Sequence, residues 1–143
     1  PQYISPDSVN ERSIIGEGSE IYGHVYNSVI GAGVVIGDGA VVRDSIVMQG
    51  SVICKGAVVE KAIIAEDVKV GDNAHLGVGE YAPSKYDPKV YQFDLVTVGE
   101  HTVIPENVQI GKNTAISGVT VPEDYPDGVL ASGDYIIKAG GIR

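Results

Sequence analysis

Tryptophan is absent, and cysteine, methionine and phenylalanine occur once each among 143 residues. The single cysteine, Cys54, offers neither a disulfide framework nor a cysteine-based zinc site. No apolar run approaches the roughly 20 residues that a bilayer requires. No signal peptide is recognisable, so the expected location is cytoplasmic. Positive charge is scarce too, with 10 Lys and Arg against 19 Asp and Glu and a net charge of −9. An acidic surface without basic clusters repels phosphate backbones, which argues against nucleic acid as a partner. Leucine is nearly missing: there are 3 Leu against 22 Val and 16 Ile. Helices draw on Leu and strands on β-branched residues, so a helical bundle is excluded and an all-β fold is expected. The chain opens on Pro1 rather than Met, which reads as a piece of a longer protein, although removal of a leader would look the same.

What is abundant is a repeat. Ser13-Ile14-Ile15, Ser28-Val29-Ile30, Ser45-Ile46-Val47 and Ala62-Ile63-Ile64 recur at steps of 15, 17 and 17. Inside each step the aliphatics return about every six residues: Ile30, Ile36, Val42; Val47, Ile53, Val59; Ile64, Val70, Leu76; and later Val98, Ile104, Ile110 and Ile116. Small or β-branched residues follow four places on, among them Val34, Ala40, Ile46, Ala57, Ile63 and Ala74. Positions i and i+4 of a strand share a face, and the intervening Gly, Asp and Asn supply corners. Three short strands and three corners close one triangular coil of about 17 residues. About six stacked coils are expected, over residues 4–80 and 96–121, around a column of Val and Ile.

At Glu80 the small position turns acidic and the repeat fails. Residues 81–94 hold Tyr81, Tyr86, Tyr91 and Phe93, four of the nine aromatics, with Pro83 and Pro88. Such a loop should pack on something: its own prism, a neighbouring subunit or absent domain, or a substrate as a lid. Residues 122–143 lose the hexad step and read as a cap. The first coil has no obvious cap.

Candidate chemistry is thin. His24 and His101 fall at corners about four coils apart, too far to share a metal, and His75 falls in a turn facing solvent. The carboxylates are scattered over corners, Cys54 reads as a structural thiol, and no catalytic residue or metal ligand is assigned. Arg43, Lys55 and Lys61 lie on successive strands and corners of adjacent coils, where they could converge on a phosphate.

The hexad pattern resembles the left-handed parallel β-helix family, from which the handedness is taken. More specifically, Pro1-Gln2-Tyr3-Ile4, Ile21-Tyr22-Gly23, Asn27-Ser28-Val29-Ile30, Asp44-Ser45-Ile46-Val47-Met48 and Glu60-Lys61-Ala62-Ile63-Ile64 resemble the carboxy-terminal prism of the bacterial glucose-1-phosphate adenylyltransferase family. The resemblance covers about residues 1–76 well and Val96 to Ile110 more loosely. It implies a parent with an amino-terminal nucleotidyltransferase domain that joins ATP and α-D-glucose 1-phosphate into ADP-glucose and pyrophosphate, with Mg²⁺ held by that absent domain, in glycogen synthesis. The prism itself would be inert, serving oligomerisation and regulation. Its implied partners are its own catalytic domain, other subunits and phosphorylated effectors. A basic residue in the strand matching Glu60-Lys61-Ala62 contributes to effector binding in the family, and this role falls to Lys61. Arg43 is added from position alone. The alternatives are a non-catalytic regulatory subunit of the same enzyme and a free-standing hexapeptide-repeat acyltransferase.

Overall fold

A computed structural model describes residues 1–138. The chain winds through three parallel sheets of six, seven and seven strands. Face A stacks Tyr3–Ile4, Glu20–Ile21, Val35–Ile36, Val52–Ile53, Lys69–Val70 and Val103–Ile104. Face B stacks Val9–Glu11, His24–Tyr26, Val41–Arg43, Val58–Glu60, His75–Val78, Gln109–Gly111 and Val129–Leu130. Face C stacks Ile14–Ile15, Val29–Ile30, Ile46–Val47, Ala62–Ile64, Val96–Val98, Thr114–Ser117 and Tyr135–Ile137. Through the sixth coil each strand pairs with the strand three further along the chain, whereas Val129–Leu130 and Tyr135–Ile137 pair with strands two earlier, because face A has no seventh strand. That topology is the parallel β-helix expected, and it is consistent with the left-handed class.

The predicted aliphatic column forms the core. Ile21, Ile36 and Ile53 from face A, Val42 and Val59 from face B, and Val47 and Ile64 from face C are all wholly buried. Two expectations change. Ile46 and Ile63 do not point inward: Ile46 is 42% exposed, and Ser45 and Ala62 occupy the inner positions instead. The reason is arithmetic, because Val42 to Val47 spans five residues instead of six, so the corner between faces B and C is one residue short. That tight corner forces a left-handed backbone on the non-glycine residues Arg12, Asn27, Asp44 and Lys61, with φ of 47°, 48°, 52° and 48°.

Serine closes this corner. Ser13 Oγ accepts the Ser28 amide, Ser28 Oγ the Ser45 amide and Ser45 Oγ the Ala62 amide, at 3.0, 3.1 and 3.0 Å. Each hydroxyl donates in turn to the carbonyl two residues back, those of Glu11, Tyr26 and Arg43. One side chain thus satisfies a donor and an acceptor that a tight corner would otherwise strand.

The second change is in the coil count, seven against the six expected. The tail predicted as a cap over 122–143 makes two 3₁₀ turns, Pro122–Asp124 and Pro126–Gly128, and then resumes the faces. Val129–Leu130 pairs with Gln109–Gly111, and Tyr135–Ile137 with Thr114–Ser117. The hexad step returns as Leu130 to Ile136. Residues 139–143 of that predicted cap lie outside the described residues.

The two ends differ. In the first coil Asn10 stands in the core column above Val25, and Ile4 is 39% exposed. In the last coil Tyr125 is 3% exposed and shares a 2.9 Å hydrogen bond with Thr120 Oγ1. Burial pushes its phenol up to about 12. Among the described residues no helix is long and apolar enough to cross a membrane.

Candidate functional site

The loop 81–94 leaves face B after Val78 and re-enters face C at Val96. It is a built element. Ser84 is buried, and its Oγ accepts the amides of Tyr86 and Asp87. Tyr86 lies against Tyr91 and Tyr135, with ring centroids 5.7 and 4.7 Å away. The Lys85 amide donates to the Gly133 carbonyl at 2.8 Å. The loop therefore packs on its own prism, the first of the three readings. Phe93 nevertheless remains 76% exposed, and Phe93 and Asp94 both carry positive φ, 64° and 65°.

One side chain ties both feet of the loop. Asn113, 1% exposed, accepts the Asp94 amide through Oδ1 and donates through Nδ2 to the Ala82 carbonyl, each at 2.9 Å. Both halves of the carboxamide are used, its oxygen as acceptor and its nitrogen as donor. Nothing in the sequence singles out this asparagine among the many at turns.

The basic residues separate into two groups. Arg43 and Lys61 lie on successive coils at the corner between faces B and C, and the Lys61 amide donates to the Arg43 carbonyl at 3.1 Å. Lys55 sits at the corner between faces A and B, on another edge of the prism. The Arg43 guanidinium stacks 4.9 Å from the centre of the Tyr26 ring. Lys61 lies in the turn between strands, and it lines a cleft of about 150 Å³ with Asp44, Glu60, Gly77, Asp94 and Lys112. Two ammonium groups thus share that cleft with three carboxyl residues.

The histidines are dispersed as expected, with altered local settings. His24 lies inside a strand instead of at a corner, its ring parallel to that of Tyr26 at 6.4 Å. His75 also belongs to a strand, with Nε2 3.3 Å from Glu60 Oε1. His101 occupies a turn with φ of 60°. Among the described residues no three His, Cys, Asp or Glu side chains converge as a metal centre. Cys54 is half-buried, and burial pushes its thiol up, away from the thiolate that reactivity needs.

Outside, face C is apolar for its first four coils. Ile14, Val29, Ile46 and Ile63 stand in register, and the first three are 68%, 45% and 42% exposed. Met48 extends this ladder beside a groove of about 330 Å³.

The GMPPB C-terminal domain family matches residues 3–124. A glucose-1-phosphate adenylyltransferase of Lachnospira eligens is 66% identical over 140 residues, which is 98% of this chain and 33% of that protein. The proteins of the same name from Thermotoga maritima and Acetivibrio thermocellus are 55% and 41% identical over 96% of this chain. The chain spans about a third of the length of the curated relatives it matches, at their carboxy-terminal end. Among solved structures, the acetyltransferase domain of PglB from Neisseria gonorrhoeae superposes with a TM-score of 0.54 at 21% identity, over 92% of this chain and 55% of that one. At that identity the likeness speaks for the fold alone.

Proposed function

The chain belongs to the GMPPB C-terminal domain family, and from that premise we propose that it is the regulatory and assembly domain of a glucose-1-phosphate adenylyltransferase. The observation that carries this reading is the 66% identity, end to end, with one third of a protein of that name. In this reading the parent joins ATP and glucose 1-phosphate into ADP-glucose and pyrophosphate in the cytoplasm, for glycogen synthesis. The chemistry belongs to the two thirds of the relatives outside the match. Mg²⁺, which the reaction uses, is assigned there as well. The described residues of this chain bring together no group of carboxylates and imidazoles to hold it.

The exposed ladder Ile14, Val29, Ile46 and Met48 supports a role in assembly, because an apolar strip of this kind marks a contact surface. The catalytic domain or another subunit is its natural cover. The uncapped first coil, with Ile4 and Asn10 at its rim, lies at the same end.

Arg43 and Lys61 remain the proposed contacts for a phosphorylated effector. Their adjacency supports this, and Lys112 adds a third cation nearby. Asp44, Glu60 and Asp94 oppose an anion in the same cleft, so further positive charge must come from outside this chain. The test is pyrophosphate release by the full-length protein from ATP and glucose 1-phosphate, with and without sugar phosphates. Turnover is the expected result, and silence from a folded full-length protein overturns the catalytic parent in favour of a non-catalytic subunit. In that assay Lys61→Ala should shift the effector midpoint about tenfold, as loss of one charge-assisted contact does, and leave basal turnover unchanged. Superimposed effector curves would remove Lys61 from the site.

A further inference from the structure

A groove of about 430 Å³ opens where the inserted segment leaves face B, beside the Lys61 cleft: Val78 and Gly111 line the groove, and their chain neighbours Gly77 and Lys112 line the cleft. That volume falls within the roughly 300–1,000 Å³ of small-molecule sites. Its origin is a slip in the ladder: Leu76 pairs with Ile110, but Val78 pairs with Gly111, so Gly77 is left over as a bulge. Gly77 and Gly79 take φ of 95° and 86°, a backbone that other residues adopt at a cost. Bulges re-aim the side chains that follow them, often beside a site. Here the residues that follow are Glu80 and Tyr81, which line the groove together with Val78, Gln109 and Val129.

The chemistry of the lining is specific. Tyr81 is 68% exposed and offers a free ring face. Val78 and Val129 add apolar surface, while Glu80 supplies acceptors and Gln109 both a donor and an acceptor. Among the described residues, the side chains of Glu80, Tyr81 and Gln109 make no hydrogen bond and no ion pair. None of the described lining residues is a lysine, arginine or histidine. A phosphate or nucleotide seated in the groove would therefore meet the Glu80 carboxylate with no cation among the lining residues, since Lys112 lines the adjoining cleft, on a chain of net charge −9. An apolar peptide would strand the three polar groups away from water. A neutral pyranose suits both features. Its axial C–H face matches an aromatic ring, and its vicinal hydroxyls match a carboxylate and a carboxamide.

We propose that this groove is a binding site for neutral pyranose units, stacked on Tyr81 and hydrogen-bonded by Glu80 and Gln109. The assignment rests on the groove alone and does not depend on the adenylyltransferase reading. Failure of either leaves the other standing. It also gives the acidic break in the repeat at Glu80 a role, since a small residue there would bring no acceptor.

The experiment is an amide-resolved NMR titration of the 143-residue chain with maltotriose, and with glucose 1-phosphate as the anionic comparator. Saturable shifts are expected at Val78, Gly79, Gly111 and Ala131, with a dissociation constant on the order of a millimolar. Glucose 1-phosphate should leave these amides unmoved. Tyr81→Ala should weaken maltotriose roughly tenfold through loss of the ring face, while Tyr81→Phe keeps the affinity. Glu80→Gln should weaken it less. Tyr81 is exposed, so its variants keep the fold, and unshifted core amides verify this. Absence of saturation, shifts confined to Tyr86 and Tyr135, unchanged affinity in Tyr81→Ala, or equal binding of glucose 1-phosphate would each overturn the proposal.

Discussion

The outer surface of face C changes character halfway along the prism. Over the first coils Ile14, Val29 and Ile46 stand bare, whereas in the sixth Ala115 is 3% exposed and its neighbour Tyr135 lies under Tyr86 of the loop. The same division runs through the corner beside that face. Ser13, Ser28 and Ser45 each receive the amide of the next coil, and the ladder stops at Ala62, which has no hydroxyl to offer. There the Val96 amide turns to the Lys61 carbonyl instead. The insertion enters at this same corner, one coil later. A regular stack seals its own corners, and the chain leaves the stack where the seal is missing. Regularity makes the fold, and the break in it makes the loop, the bulge and the groove.

Hollowing the upper half tests this division most severely. Tyr125→Ala should cost about 3–5 kcal/mol, the usual loss for a buried aromatic, read as a fall in the urea midpoint. Hydrogen exchange should then rise first in Val129–Leu130 and Tyr135–Ile137. An equal rise in the first three coils would show that the two halves act as one cooperative unit.

A matched pair of deletions sharpens the comparison. Ser45→Ala and Asn113→Ala each remove a buried side chain that serves one donor and one acceptor. Each should cost about 1–3 kcal/mol, with different reach. Loss of Ser45 should accelerate exchange at Ala62 and its coil neighbours. Loss of Asn113 should open residues 82–94 to protease while the lower coils stay protected. Global unfolding by both variants would erase the distinction between seal and clamp.

Acid provides the smallest effect. The Lys138 ammonium and the Val121 amide hold the Asp124 carboxyl below its ordinary value of 3.8. A depressed carboxylate contributes stability that is present above pH 3.8 and is lost as the pH falls through the lower folded value. Both side chains keep contact with solvent, 35% and 24% exposed, so at most about 1 kcal/mol is at stake. The protection factor of the Lys138 amide should fall below pH 3.8 in the wild type, and Asp124→Asn should show no such step.

The coil, the core column and the loop boundaries were legible because hydrophobic period and glycine placement report directly on strand and corner. The inward position of Ser45 was not, since a strict six-residue step hides a corner one residue short. The seventh coil escaped because the 13 residues between Ile116 and Leu130 interrupt the step, although Leu130 and Ile136 restore it. Of the candidate site, Arg43 and Lys61 emerged as neighbours through the repeat arithmetic. Asn113, the groove at Tyr81 and the acidic surroundings of Lys61 depend on contacts between coils far apart in sequence, which periodicity cannot encode.

The double grip of Asn113 on Ala82 and Asp94 also makes the loop a replaceable part. Because its two feet are fixed to one buried carboxamide, the chain between them can change in length with little effect on the coils beneath. Each doubling of a flexible loop adds only about 0.6 kcal/mol of closure cost. The exposed tip, residues 88–90, is therefore a grafting port, where a foreign peptide can be displayed on the side of a rigid prism while Ser84, Lys85, Tyr86 and Tyr91 keep their packing.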